Sequence, residues 1–265
     1  MTKSKKKLLK KKLWLLIGGI AALCFFAAMW PRDFSHQLQG DIMIIYPQRY
    51  GAAAETFLIQ GQAWLEEMQG WLSADTNEEA PKGANSPVRI FLGGPQLPGS
   101  IFNSTQRRTA GYYWLGNVVI LDVEGENPPL SHELGHWVID RASGGRAPRW
   151  FSEGFAQYAE YRLTGYALPV PAGEDLVMPM KEIDEGVQVP HLSGLDSMFD
   201  RHATQLCAYH MSYAAFEQML ADWDWQGIVS ILELQEQGKG WDQAFQEATG
   251  MPFSFWQEKF FYSYQ

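Results

Sequence analysis

His132-Glu133-Leu134-Gly135-His136 is the stretch on which the reading of this chain turns. On an α-helix positions i and i+4 share one face, so the two imidazoles aim at one point with Glu133 beside them. That is the H-E-x-x-H arrangement, in which two histidines hold a zinc ion and the carboxylate takes a proton from water on the metal. A catalytic zinc needs a third protein ligand. A histidine six residues past His136 is excluded, because position 142 is Ala142, and the glycine that would accompany it at 139 is Ile139. Seventeen residues past His136 lies Glu153, within Trp150-Phe151-Ser152-Glu153-Gly154-Phe155-Ala156-Gln157-Tyr158. Between them, Gly144, Gly145 and Pro148 break the first helix and let a second return. A carboxylate near the start of that second helix could reach the metal; the plain alternative is a surface glutamate on an amphipathic helix.

The pattern H-E-x-x-H, a gap of under twenty residues and then W-x-x-E-G-x-A-x-Y resembles the gluzincin metalloproteases. It is most similar to the bacterial peptidase MA-like domain, and Glu-Gly-Phe-Ala-x-Tyr also resembles the alanyl aminopeptidases. Downstream, Tyr209-His210-Met211-Ser212-Tyr213, Gly240-Trp241-Asp242-Gln243-Ala244-Phe245 and Phe255-Trp256 match the family's helical landmarks. The resemblance spans 88–264 and is specific around 129–160. It implies His132, His136 and Glu153 as ligands of one zinc ion, Glu133 as general base, and a peptide or protein substrate. It also implies an α+β gluzincin domain, with a mixed sheet first and a helical C-terminal half.

Zinc lowers the pKa of its bound water to about 7, and the oxyanion that follows attack needs a second donor. Tyr209, 56 residues past Glu153 and three before the small Ser212, is the candidate by resemblance to the aminopeptidases; His202, His210 and Tyr213 compete with it. Where thermolysin-like enzymes carry an aspartate four residues past the ligand glutamate, this chain has Gln157; Glu160 falls on the same helical face and could replace it as the partner of a ligand histidine. Residues 110–121 read as a hairpin around Gly116-Asn117. The resemblance gives 118–121 the role of the sheet edge that pairs with extended substrate; a core strand is the equal alternative. No glutamate lies between 110 and 119 to hold a substrate's free amine, as it does in the aminopeptidases, which favours an endopeptidase.

The first thirty residues hold seven lysines and no acid, and residues 13–30 carry no charge. That length suits a short membrane span, and Met29-Trp30-Pro31 after Ala27-Ala28 is a poor signal-peptide cleavage site. The expectation is therefore a basic cytoplasmic tail at 1–12, an uncleaved single-pass anchor at 13–30 in the cell membrane, and an extracytoplasmic domain at 31–265. Without the seven lysines, 14 basic side chains face 30 acidic ones, a net charge of −16. Such a domain is a poor nucleic-acid binder and suits basic or unfolded protein targets. Cys24 sits in the apolar stretch and Cys207 is alone outside it, so no disulfide within the domain is expected and Cys207 is read as buried.

Elsewhere, 41–46 and 88–92 read as strands and 52–72 as a helix with apolar residues at helical spacing. The metal helix is expected to start near Asn127, ahead of Pro128 and Pro129. The proline-rich 168–197 could line or cover the cleft, and helix is expected from about 203 to the end. The rival to a working hydrolase is a zinc-binding peptidase-fold module without turnover that docks a cell-envelope partner; retention of Glu133 argues against it.

Overall fold

The computed structural model describes residues 34–73, 87–93, 110–125, 129–168, 177–183 and 186–263. The basic tail at 1–12, the expected anchor at 13–30 and Asn127 lie outside them. No described helix is long and apolar enough to cross a membrane.

The architecture is mixed α+β. Five strands, β1 (Phe34–Gln39), β2 (Ile42–Pro47), β3 (Val88–Leu92), β4 (Gly111–Trp114) and β5 (Asn117–Ile120), form one sheet in the order β1-β2-β3-β5-β4. β2, β3 and β5 run parallel, and the outer strands β1 and β4 are antiparallel to their neighbours. Alternation along the central strands places Ile42, Ile44, Val88, Ile90, Leu92, Val118 and Ile120 on one fully buried face. Helix α1 (Gly51–Ser73) lies over that face near β2, and α2 (Leu130–Ser143) over it near β4 and β5.

One open alternative is decided here, and one strand is added. β5 is paired on both sides, to β3 and to β4, so 118–120 is interior strand, and among the described residues the outer edge beside α2 belongs to β4. β1, which no hydrophobic pattern announced, adds a polar, half-exposed strand at the opposite edge. Helix α2 starts at Leu130, where the Glu133 amide donates to the Pro129 carbonyl.

The helical half follows. α3 (Arg149–Thr164) packs across α2, and the long α5 (Gln205–Glu236) packs across both. A small hairpin of β6 (Met180–Glu182) and β7 (Gln188–Pro190) and a short α4 (Asp196–Phe199) lie between α3 and α5 in the chain; α6 (Trp241–Thr249) and α7 (Phe253–Ser263) close it. α5 bends at Asp224, whose φ of 51° and ψ of −167° interrupt the helix, while its Oδ1 accepts a hydrogen bond from the Gln226 amide and so caps the second half.

α3 is held by aromatic packing at both ends. Trp150 stacks on Phe253 and meets Trp241 edge-on. Phe155 and Tyr158 enter a cluster with Trp71, Phe216 and Trp225. These contacts fix the rotation of α3, which turns its other face toward α2. Cys207 is buried, as expected, with its thiol donating to the Val177 carbonyl.

Candidate metal centre

Helix geometry alone brings the two histidines together: His132 and His136, one turn apart on α2, present their Nε2 atoms 3.1 Å from each other. α3 crosses above them and delivers Glu153. Its Oε2 lies 3.5 Å from His132 Nε2 and 3.4 Å from His136 Nε2.

Close helix approach makes this meeting possible. A Cβ on Gly135 would come within 2.9 Å of the Ala156 backbone on α3. A Cβ on Gly154 would come within 2.3 Å of the Ser212 carbonyl oxygen on α5. Ser212, the small residue three positions after Tyr209, is completely buried at that crossing.

The three ligand atoms form a triangle with sides of 3.1, 3.4 and 3.5 Å. A tetrahedral ion with bonds of about 2.0–2.2 Å separates its ligands by roughly 3.3–3.6 Å. Glu153 Oε2 is buried and accepts no hydrogen bond among the described residues, and a buried charge of that kind calls for a counter-charge or a metal. His132, His136 and Glu153 thus form a group that could hold a metal ion.

Every member of the triangle is oriented from α3. His136 Nδ1 lies 2.8 Å from Ser152 Oγ. His132 Nδ1 lies 2.9 Å from the Gln157 carboxamide and 3.5 Å from Glu160 Oε2, so Gln157 and Glu160 share the position expected of one carboxylate. The Arg149 guanidinium sits 3.6 Å from Glu153 Oε1, which leaves Oε2 turned toward the histidines. Ser152 and Arg149 were not singled out in the sequence.

The electrostatics follow from burial among mixed charges. Burial pushes the His132 imidazolium down, but the carboxylates of Glu153 and Glu160 that face it outweigh burial and leave the group well above the usual histidine range. Glu153 is opposed by burial yet held far below the usual carboxylate range by His136 and His132. Burial raises Glu133; the two imidazoles pull it back only in part.

A cavity of about 480 Å³ opens over these groups, and its wall includes Glu133, Tyr209, Arg149 and, on β4, Tyr112 and Tyr113. Tyr209 stands in the second turn of α5 with its ring centroid 6.4 Å from that of His132, and its hydroxyl accepts a hydrogen bond from Gln205 Nε2. Burial, then the Glu153 charge, raises its phenol above the usual tyrosine value, so it keeps its proton. The competitors do not line this cavity: His202 is exposed, Tyr213 donates to Glu217 at 2.5 Å, and His210 stands on the same helix away from the wall. The described part of 168–197 does not line it either; Leu192 is buried and its amide donates to Gln257 Oε1 on α7.

One neighbour of the triangle joins sheet to helix. Tyr113 lies over His136 with ring centroids 6.4 Å apart and planes at 27°, and its hydroxyl donates to Asp140 Oδ2 at 2.7 Å. Asp140 is four residues past His136, a spacing that would have placed it on the ligand face.

No model of a known protein family matches this chain, and no curated protein matches it either.

Proposed function

We propose that this chain is a membrane-anchored, zinc-dependent metalloprotease of the gluzincin type, similar to the peptidase MA-like domain, that hydrolyses internal peptide bonds outside the cytoplasm. The observation that carries the reading is the meeting of His132, His136 and Glu153 from two crossing helices, with Glu133 in the same cavity. When bound, zinc supplies a Lewis acid and a water activated near neutral pH. The nitrogen-nitrogen-oxygen donor set suits that ion, and the two sides of the triangle that meet at Glu153 have tetrahedral length.

Glu133 takes the proton of the attacking water on its carboxylate and passes it to the departing amine. Tyr209 keeps its phenolic proton and donates it in a hydrogen bond to the oxygen of the attacked carbonyl. The side of β4 that no described strand covers, with Tyr112 and Tyr113 on the cavity wall, replaces 118–121 as the edge along which extended substrate backbone pairs.

The test is metal analysis joined to a casein and peptide-library assay on the full chain in detergent. The reading expects one zinc per chain and cleavage within peptides. Glu133→Gln should keep the zinc and lose turnover by about 10²–10⁴-fold; Tyr209→Phe should slow turnover and keep the zinc. Zinc bound with no cleavage of any substrate overturns the hydrolase and leaves the docking module as the function of the fold.

A further inference from the structure

The cleft does not end at the metal ligands. His132, His136 and Asp140 follow one another at four-residue spacing, so the cavity wall continues along α2 through Asp140 and Ser143 to Gly145. Each step of four residues advances about 6 Å, and extended peptide advances about 3.3 Å per residue. Asp140 therefore stands about two substrate residues away from the metal triangle.

Its carboxylate is set for use. Tyr113 donates to Oδ2 and so fixes the group's orientation. A Cβ on Gly145 would lie 3.4 Å from Oδ1, so a glycine there places no side chain over that oxygen. Other charges in the cleft are matched: Glu133 and Glu153 face the histidines and the ion they would hold, and Arg149 is shared between Glu153 and Asp200. Among the described residues Asp140 takes part in no ion pair. The carbonyl end of α2 adds negative potential at the same place.

We propose that Asp140 determines specificity in a subsite that takes the cationic side chain of a lysine or arginine in the substrate, beside the aromatic wall of Tyr112 and Tyr113. This rests on the peptidase reading and names the class of substrate for the same cleft. A cation there gains a fixed carboxylate, a helix C-terminus and aromatic rings together. A glutamate at the same substrate position meets repulsion.

The experiment uses peptide sets that differ at one position, with lysine, the uncharged isostere norleucine or glutamate placed in turn on either side of the cleaved bond. Full-length protein should show a lysine-to-norleucine ratio in kcat/KM of about five- to tenfold at a single position. Asp140→Asn should bring that ratio near one, and Asp140→Lys should invert it toward glutamate. Tyr113→Phe deletes the hydrogen bond but keeps the charge, so the preference should stand in that variant; a merely structural role for Asp140 predicts the opposite. The same peptides are titrated by fluorescence anisotropy onto zinc-loaded Glu133→Gln, with and without Asp140→Asn. Charge-dependent binding without cleavage by the unmutated protein sinks the peptidase but supports the subsite. Active protein with no lysine preference, or a preference that survives Asp140→Asn, overturns the subsite alone, and absence of charge-dependent binding in the titration overturns it as well.

Discussion

Replacing Gly154 by alanine sets two effects of opposite sign against each other. In an unobstructed helix interior the change stabilises by roughly 0.5–1 kcal/mol, because glycine loses more backbone freedom on folding. At Gly154 the added methyl would sit 2.3 Å from the Ser212 carbonyl oxygen and 2.9 Å from Phe216 Cβ. Comfortable contact begins near 3.5 Å, so α3 and α5 must part by about 1 Å. The obstacle is backbone, which cannot rotate away, and overpacking of this kind costs about 1–3 kcal/mol. With the obstacle well under contact distance the cost sits in the middle of that range or above, so net destabilisation is about 1–2.5 kcal/mol, a fall of roughly 2–10 °C in Tm for a domain of this size. The residue next door is Glu153, and a well-formed metal site holds its ligand distances to within about 0.2 Å. Zinc affinity should accordingly fall by at least about tenfold. Gly70 in α1 supplies the control, since nothing lies within 4 Å of a Cβ there. Gly70→Ala should raise Tm while Gly154→Ala lowers it, both read by circular dichroism of the full chain in detergent, and zinc affinity by competition with a chromogenic chelator. A Gly154→Ala protein as stable as the parent, with zinc affinity unchanged, would refute the argument that this crossing is tight enough to position Glu153.

Removing the Ser152 hydroxyl with alanine leaves His136 Nδ1 without its partner, and zinc affinity should drop about 10–100-fold by chelator competition with little change in Tm of the metal-free protein; an unchanged affinity would show that the hydroxyl does not hold the ring. At Asp224, φ 51° and ψ −167° are values that glycine adopts with ease and alanine does not. Asp224→Ala loses the cap to Gln226 and keeps the strain, whereas Asp224→Gly relieves the strain, so urea unfolding should rank glycine above alanine by about 1–3 kcal/mol; the reverse order would contradict the assigned conformation. The pH response of the metal-free protein should oppose that of the zinc form. His132 titrates above its unfolded value near 6.5, so its contribution is complete below about pH 6.5 and is lost as pH rises through the higher folded value. Zinc needs the neutral imidazole, hence the gain in Tm on adding zinc should grow from pH 6 to 8.5 in scanning calorimetry. A gain that is flat or shrinks over that window counts against His132 as a ligand.

What could be read in advance divides along physical lines. His132 and His136 were legible because helical spacing fixes direction within one element, and Glu153 because a turn of Gly144, Gly145 and Pro148 brings the next helix back. β1 was not legible: Phe34-Ser35-His36-Gln37-Leu38-Gln39 is a polar outer strand whose pairing comes from β2 and not from its own pattern. The choice between edge and interior for 117–120 depended on which strand came to lie beyond it, a long-range matter, although the run Val118-Val119-Ile120, buried on both faces, agrees with an interior place. Ser152 was missed because its partner His136 comes by tertiary contact, whereas Arg149 stands four residues before Glu153 on one helix, a spacing that could have named it. Gly135 and Gly154 occupy positions that a ligand motif leaves open, or reads as punctuation, yet they decide how near α2, α3 and α5 approach. Ligands and close-approach residues interleave along the same two helices, so the motif specifies helix spacing as firmly as it specifies the atoms that could hold the ion. A chain that kept His132, His136 and Glu153 but carried larger residues at 135 and 154 would retain every donor and lose the triangle they form.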